Sequence, residues 1–149
     1  MKDDRIEIRF ITAEETWPLR LKVLRNNSTA TSCPFSGDDD EGAFHLGAFV
    51  EGRCISIASF LPDQHKGLPG KAHFRLRGMA TDPSMQGKGA GGMLITFSIE
   101  ELRSRGAGLL WCNARIGAVS FYERMGFRKV GDAFAIEGIG LHYMMWQPL

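Results

Sequence analysis

Residues 6 to 11 alternate imperfectly, with Ile6, Ile8 and Phe10 set against Glu7 and Arg9, which predicts a half-buried opening strand. Thr12 and Glu15 have the capping-box spacing that starts a helix. Pro18 sits too deep for that cap, so the helix carrying Leu19, Leu21, Val23 and Leu24 is expected to begin near Trp17, its start left open. Residues 26 to 42 are rich in turn formers and acidic groups and read as a long loop. Two apolar, β-prone runs at 43–50 and 53–61, separated by Glu51-Gly52, predict an antiparallel hairpin.

A second loop at 62–70 leads to a strand at 72–81. A helix is expected from Gly87 to Arg105, because Ala90, Met93, Leu94, Phe97 and Leu102 recur on one face; Gly106 and Gly108 stop it. Leu109 to Cys112 reads as a short strand, 117–125 as a second amphipathic helix, and the remainder as two strands joined near Glu137–Gly140. The order is β-α-β-β-β-α-β-α-β-β. Neither a repeat nor a linker divides it, so one domain over 1–149 is expected.

Composition changes this picture only by exclusion. With 149 residues, 44% hydrophobic, the chain can bury a real core, roughly 70% of its unfolded surface, without a disulfide or metal staple. Cys33, Cys54 and Cys112 form no CxxC and cannot all pair within one molecule, which favours a reduced, cytoplasmic setting. The charged opening Met1-Lys-Asp-Asp-Arg5 runs into alternating residues with no apolar h-region, and no long apolar span follows, so neither export nor membrane insertion is expected. A net charge of +1, its signs interspersed, offers no broad field for nucleic acid. His45, His65 and His73 lack metal-ligand spacing, so no metal is expected.

The most informative stretch is Gln86-Gly87-Lys88-Gly89-Ala90-Gly91-Gly92, between a predicted strand and an amphipathic helix. Glycines let backbone approach a ligand, and a helix start presents unpaired N–H groups and the positive end of the dipole, which together suit a pyrophosphate. Each glycine inside a helix start costs about 1 kcal/mol against alanine, so packing alone is a strained explanation. A Walker A loop fails, because Lys88 is followed by Gly89 and Asp82 stands where its first glycine belongs. Gly87-x-Gly89-x-x-Gly92 fits the dinucleotide pattern, but Asp82–Gln86 separate it from the strand and no acidic ribose ligand follows the next one.

Gln86, Gly89 and Gly91 satisfy a third pattern, Q/R-x-x-G-x-G/A. Met79-Ala-Thr-Asp-Pro83 precedes it, and Ala118 with Ser120-Phe-Tyr-Glu-Arg-Met-Gly-Phe127 follows as a second signature, A-x-x-F-Y-x-x-x-G-F. In these features the chain resembles the GNAT superfamily of N-acetyltransferases, over its whole element order and most specifically from Arg77 to Phe127. The tail Ala135–Tyr143 is similar to an ElaA-like subgroup. The resemblance implies an α/β sandwich with a mixed, mostly antiparallel central sheet, two of whose central strands splay to admit acetyl-CoA.

It also implies roles. The backbone of Met79, Ala80 and Thr81 would hold the pantetheine arm, Gln86, Gly87, Lys88, Gly89, Ala90, Gly91 and Gly92 the pyrophosphate, and Asn113, Ala118, Phe121 and Tyr122 would complete the cofactor contacts. Tyr122 would be the general acid that returns a proton to the departing thiolate; packing at i, i+3, i+4 with Ala118 and Phe121 is its structural alternative. The base is open. Family members often carry a carboxylate on the central strand, where this chain has Arg75 and Arg77, so His142, Glu137 or water is left to accept the amine proton. Arg77 either clamps a carboxylate of the acceptor or braces a loop. Asp38–Glu41 read as a solvated loop, and Cys112 as a core cysteine rather than a nucleophile. The expected reaction is acetyl transfer to a small-molecule primary amine; a protein lysine or N-terminus as acceptor, a silent acyl-CoA sensor and a homodimer stay open.

Overall fold

The structure is a computed structural model and describes residues 5–149; the charged opening Met1–Asp4 lies outside them. Ten regular elements follow one another: β1 (Glu7–Ile11), α1 (Ala13–Leu19), β2 (Phe44–Val50), β3 (Arg53–Pro62), β4 (His73–Thr81), α2 (Ala90–Ser104), β5 (Leu109–Arg115), α3 (Val119–Arg124), β6 (Arg128–Ile136) and β7 (Gly140–Pro148). The order is the expected one. Two compact units share it, one formed by the chain up to Pro62 with Leu76–Ser98, the other by Asp63–Arg75 with Ile99–Leu149.

The first unit holds β1, β2, β3 and the second half of β4. Its entry helix corrects the expectation of a start near Trp17. Thr12 Oγ1 accepts from the Glu15 N–H at 3.2 Å and Glu15 Oε1 accepts from the Thr12 N–H at 2.9 Å, so the capping box works and α1 begins at Ala13. Pro18 lies inside the helix. It has no N–H to offer the preceding turn, and the chain widens directly afterwards into a π-helical turn, Arg20–Leu24. At the hairpin, Glu51 and Gly52 both take positive φ, 50° and 79°, the requirement of a two-residue turn between β2 and β3. Leu46, Ala48, Ile55, Ile57, Ala58 and Phe60 on these strands are fully buried, each large aliphatic contributing roughly 1.5–3 kcal/mol. Phe44 stacks on Phe60 at 4.9 Å, and Leu19 and Ile57 pack against Ala80 of β4.

In the second unit β4 runs parallel to β5, His73–Arg75 pairing with Leu109–Trp111; β5 pairs antiparallel with β7, and β7 with β6. Because β4 belongs to both units, the seven strands follow the order β1-β2-β3-β4-β5-β7-β6 in a mixed, mostly antiparallel sheet. β5 is longer than its apolar stretch suggested, since Asn113, Ala114 and Arg115 continue the ladder against Met144, Tyr143 and His142. Leu68, Leu109 and Trp111 form the core here with Val130, Met144 and Trp146, and Trp111 Nε1 donates to the Asp63 carbonyl at 2.8 Å.

Gly108 shows why a glycine follows α2. Its N–H donates to the Ala72 carbonyl, its own carbonyl accepts from Leu149, and a Cβ there would collide with the Lys71 carbonyl oxygen. Backbone cannot yield as a side-chain tip can. Gly108→Ala is expected to cost about 1–3 kcal/mol, the range for forced overpacking, read as a lowered urea midpoint with unchanged slope; an unchanged midpoint would show that the approach is looser than described.

Candidate active site

The first unit builds a strand end, a glycine loop and a helix start. Within β4, Gly78 takes a left-handed φ of +64°, and a Cβ there would stand 3.1 Å from the Phe35 ring and 3.5 Å from Arg20 Nε. Beyond it, Ser56 Oγ donates to the Ala80 carbonyl at 3.2 Å and meets Thr81 Oγ1 at 2.7 Å. The Asp82 N–H donates to the Ile55 carbonyl at 2.8 Å. Asp82 then anchors the strand exit: Lys22 Nζ lies 2.9 Å and Arg53 3.8 Å from its carboxylate, which also accepts from the Ser84 N–H and Oγ at the start of a 3-10 turn, Pro83–Met85. The bonds from Lys22 and Ser84 hold the Asp82 carboxyl down at about 2.

Helix α2 begins at Ala90 and not at Gly87, a correction with a clear cause. Gly87 and Gly89 have φ of +78° and +85°, outside helical space, and the first helical bond runs from the Met93 N–H to the Gly89 carbonyl at 3.1 Å. The amides of Ala90, Gly91 and Gly92 therefore precede the first donor of their own helix, the Met93 N–H. Gln86, Gly87, Lys88 and Gly89 are exposed, and a Cβ at Gly87 or Gly89 would meet nothing within 4 Å. These two glycines thus serve backbone conformation and open space rather than internal packing, which fits a polyanion cradle.

The long loop at 26–42 hides a buried network that the sequence reading missed. Arg20, fully buried, donates from Nη1 to Asp38 Oδ2 at 2.7 Å and to the Cys33 carbonyl at 3.0 Å, and from Nη2 to Asp38 Oδ1 at 2.8 Å and to Ser59 Oγ at 2.9 Å. Ser59 Oγ accepts from Arg20, so its own proton goes to His45 Nδ1, 2.7 Å away, and His45 Nε2–H donates to the Asp38 carbonyl at 3.0 Å. Burial pushes the Asp38 carboxyl up, but the Arg20 bonds, the Phe35 N–H and the Arg20 charge outweigh it and hold the group below its ordinary value. Asp38 is thus no part of a solvated acidic run, although Asp39, Asp40 and Glu41 are exposed. Phe35 lies on the Arg20 guanidinium at 3.9 Å. Arg77 gives Nη1 to the Ser36 carbonyl at 2.9 Å and stands 4.8 Å from the Phe35 ring, so it does brace the loop. An arginine between Leu19 and Leu21 in an apolar helical run was the one available signal; Asp38 looks like its neighbours.

The second unit holds the remaining residues. Tyr122 on α3 is buried, edge-on to Phe121 at 5.2 Å and Phe127 at 5.4 Å. Burial, with Cys112 close by, pushes its phenol well above the ordinary range, so it keeps its proton and can act as an acid but not as a base. The same burial pushes the Cys112 thiol up to about 12, against a nucleophilic role. Asn113 is half-buried on β5, Ala118 half-buried just before α3, and Phe121 half-buried within it. His142 on β7 is buried, donates Nδ1–H to the Gly140 carbonyl at 2.9 Å and stacks on Phe134 at 6.0 Å, leaving its lone pair on Nε2. Glu137 is exposed at the β6–β7 turn. Arg75 lies over Trp111 at 4.9 Å with its guanidinium 3.7 Å from Asp63.

The acetyltransferase (GNAT) family matches residues 7–127, spanning both signatures. The chain belongs to the GNAT family. This acetyltransferase is 38% identical over 144 residues to the uncharacterized N-acetyltransferase YitI of Bacillus subtilis (strain 168), covering 97% of each chain. Among solved structures it is similar to Escherichia coli ElaA, with a TM-score of 0.75 at 16% identity over 96% of this chain and 99% of that one. An aminoglycoside 6'-N-acetyltransferase solved with coenzyme A gives a TM-score of 0.73 at 13% identity, covering 95% and 96%. At such identities these structures speak for the fold alone. Among the described residues, no helix is long and apolar enough to cross a membrane.

Two outcomes follow for the acetyltransferase. Asp38→Ala leaves Arg20 buried and unneutralised and is expected to cost about 3–5 kcal/mol in urea unfolding, against under about 1 for the exposed Asp39→Ala. Asp82, lowered to about 2, contributes stability that is complete above its unfolded value, about 3.9, and fades as pH falls toward 2. Asp82→Asn should therefore be less stable at neutral pH and show a shallower loss across that acid window; an identical slope would count against the Lys22 and Ser84 bonds.

Proposed function

We propose that the enzyme transfers an acetyl group from acetyl-CoA directly to the primary amine of a small molecule. The observation that carries this is the segment after β4, where two left-handed glycines with open space beside them lead into unpartnered first-turn amides. Gln86 to Gly92 would take the pyrophosphate, and the backbone of Met79, Ala80 and Thr81, held on the β3 side by Ser56, the pantetheine. That CoA is bound by the aminoglycoside acetyltransferase of like fold supports the choice of donor.

The amine nitrogen attacks the thioester carbonyl carbon, the tetrahedral intermediate collapses with cleavage of the C–S bond, and the sulfur leaves as a thiolate. The nitrogen loses its proton to water or to His142 Nε2, while Tyr122 donates its phenolic proton to the sulfur. A buried phenol is a weak acid. Apolar surroundings raise a thiol as well, as Cys112 shows at about 12, which narrows the gap between donor and acceptor. Asn113, Ala118 and Phe121 would contact the cofactor, and Glu137, exposed on its turn, is the weaker base.

Calorimetric titration with acetyl-CoA, with ATP and NAD as controls, and a thiol-release assay over amines test this reading. Tyr122→Phe is expected to lower kcat about 100-fold or more while the acetyl-CoA Kd stays within about twofold, since the ring remains. Because Tyr122 is raised above its ordinary value, about 10, the wild type should show no alkaline loss of kcat from this group below that pH. A phenylalanine variant with wild-type kcat would remove Tyr122 from the mechanism. Acetyl-CoA binding without turnover of any amine would mark a sensor.

A further inference from the structure

Three guanidinium groups gather around one aromatic ring in the first unit: Arg20 at 3.9 Å, Arg77 at 4.8 Å and Arg25 at 5.2 Å from the Phe35 centroid. Only Arg20 is fully buried, and Asp38 neutralises it. Arg25 is exposed, and its Nη1 donates to a neutral group, the Leu24 carbonyl at 3.1 Å. No carboxylate among the described residues lies within ion-pair distance of Arg25. Arg20 Nε is buried without a hydrogen-bond partner and lies beside Gly78, whose φ of +64° is left-handed. Arg77 precedes Met79 by two positions, roughly 7 Å along a strand. The ring at the centre, Phe35, is half-buried. An aromatic face rimmed by planar forked donors is suited to an organic anion with an apolar body.

We infer that the acceptor is an amine that also carries a carboxylate, an amino acid in chemical class, and that Arg25 and Arg77 beside Phe35 hold this carboxylate. The inference rests on the acetyl-transfer reading and gives its acceptor a chemistry. It accounts for a departure noted in the sequence: β4 offers arginines where a carboxylate base is common in the family. A cationic surround repels an ammonium and favours the neutral amine, so the groups that bind the acceptor also ready its nitrogen, with water sufficient to carry the proton away. It equally disfavours polyamines, which bring a second positive charge and no carboxylate.

The test is thiol release from acetyl-CoA with the twenty amino acids, their α-carboxamides and spermidine, beside calorimetric titration of acetyl-CoA. The expected result is at least one amino acid whose kcat/KM exceeds that of its own carboxamide by about tenfold or more, as a site built around a charged partner rejects the analogue lacking it. Arg25→Gln and Arg77→Gln should each lower that ratio about fivefold or more, through KM, with acetyl-CoA affinity unchanged. Arg25 is exposed and its replacement leaves the loop bracing intact, so this variant reads the site even if Arg77→Gln loosens the loop. Carboxamides or spermidine used as well as the acids, a ratio unmoved in Arg25→Gln, or acetyl-CoA bound with no amino acid accepted would each overturn the inference while leaving donor binding standing. Failure of acetyl-CoA to bind would instead bring down the transfer reading and this inference with it.

Discussion

A guanidinium taken wholly out of water must be neutralised where it stands, and Arg20 is taken out completely. Its bidentate bond to Asp38 anchors the chain between the π-helical turn Arg20–Leu24 and β2, a stretch with no helix or strand among the described residues. Cys33, Phe35 and Asp38 are drawn to one charge, Ser59 and His45 close the network from β3 and β2, and the Phe35 ring covers the guanidinium. Members of such a network depend on one another, because each is the partner of another. Gly78 is tied to it as well, since a side chain there would press on Phe35 and Arg20.

The second organising element is β4. One short stretch carries a left-handed Gly78, the Ala80 carbonyl and Thr81 hydroxyl bonded to Ser56, and an exit pinned by Asp82 to Lys22, Arg53 and Ser84. The glycine loop starts from this fixed exit. Gly87 and Gly89 take left-handed φ between this hydrogen-bonded strand exit and a packed helix in which Leu94 and Ile95 are fully buried. A loop meant to present amides to a ligand works best when both flanks are immobile, since little ordering remains to be done on binding.

Proton chemistry in the second unit is governed by burial more than by charge. Tyr122 and Cys112 are both driven toward their neutral forms by desolvation, and Arg75 only partly offsets this for the thiol. Neither becomes a nucleophile or a base. What remains is a protonated phenol set edge-on to the Phe121 and Phe127 rings.

Periodicity and local chemistry determined much of this protein. Alternation and helical spacing fixed the ten elements, Glu51-Gly52 the hairpin, Thr12 and Glu15 the helix cap, and the glycine loop with the Ser120–Phe127 signature the family, because each is a property of neighbouring residues. Boundaries shift where neighbours carry conflicting signals: Pro18 argues against a cap that Thr12 and Glu15 nevertheless form, and the helix expected from Gly87 starts only at Ala90 because Gly87 and Gly89 take left-handed φ. The tertiary structure alone decided that Asp38, and not the adjacent Asp39 or Asp40, leaves water, that Arg20 is its partner 18 positions away, and that Arg25 and Arg77 meet at one phenylalanine. No local pattern encodes such choices, since a buried charge selects its partner by the distance and desolvation that only the folded chain imposes.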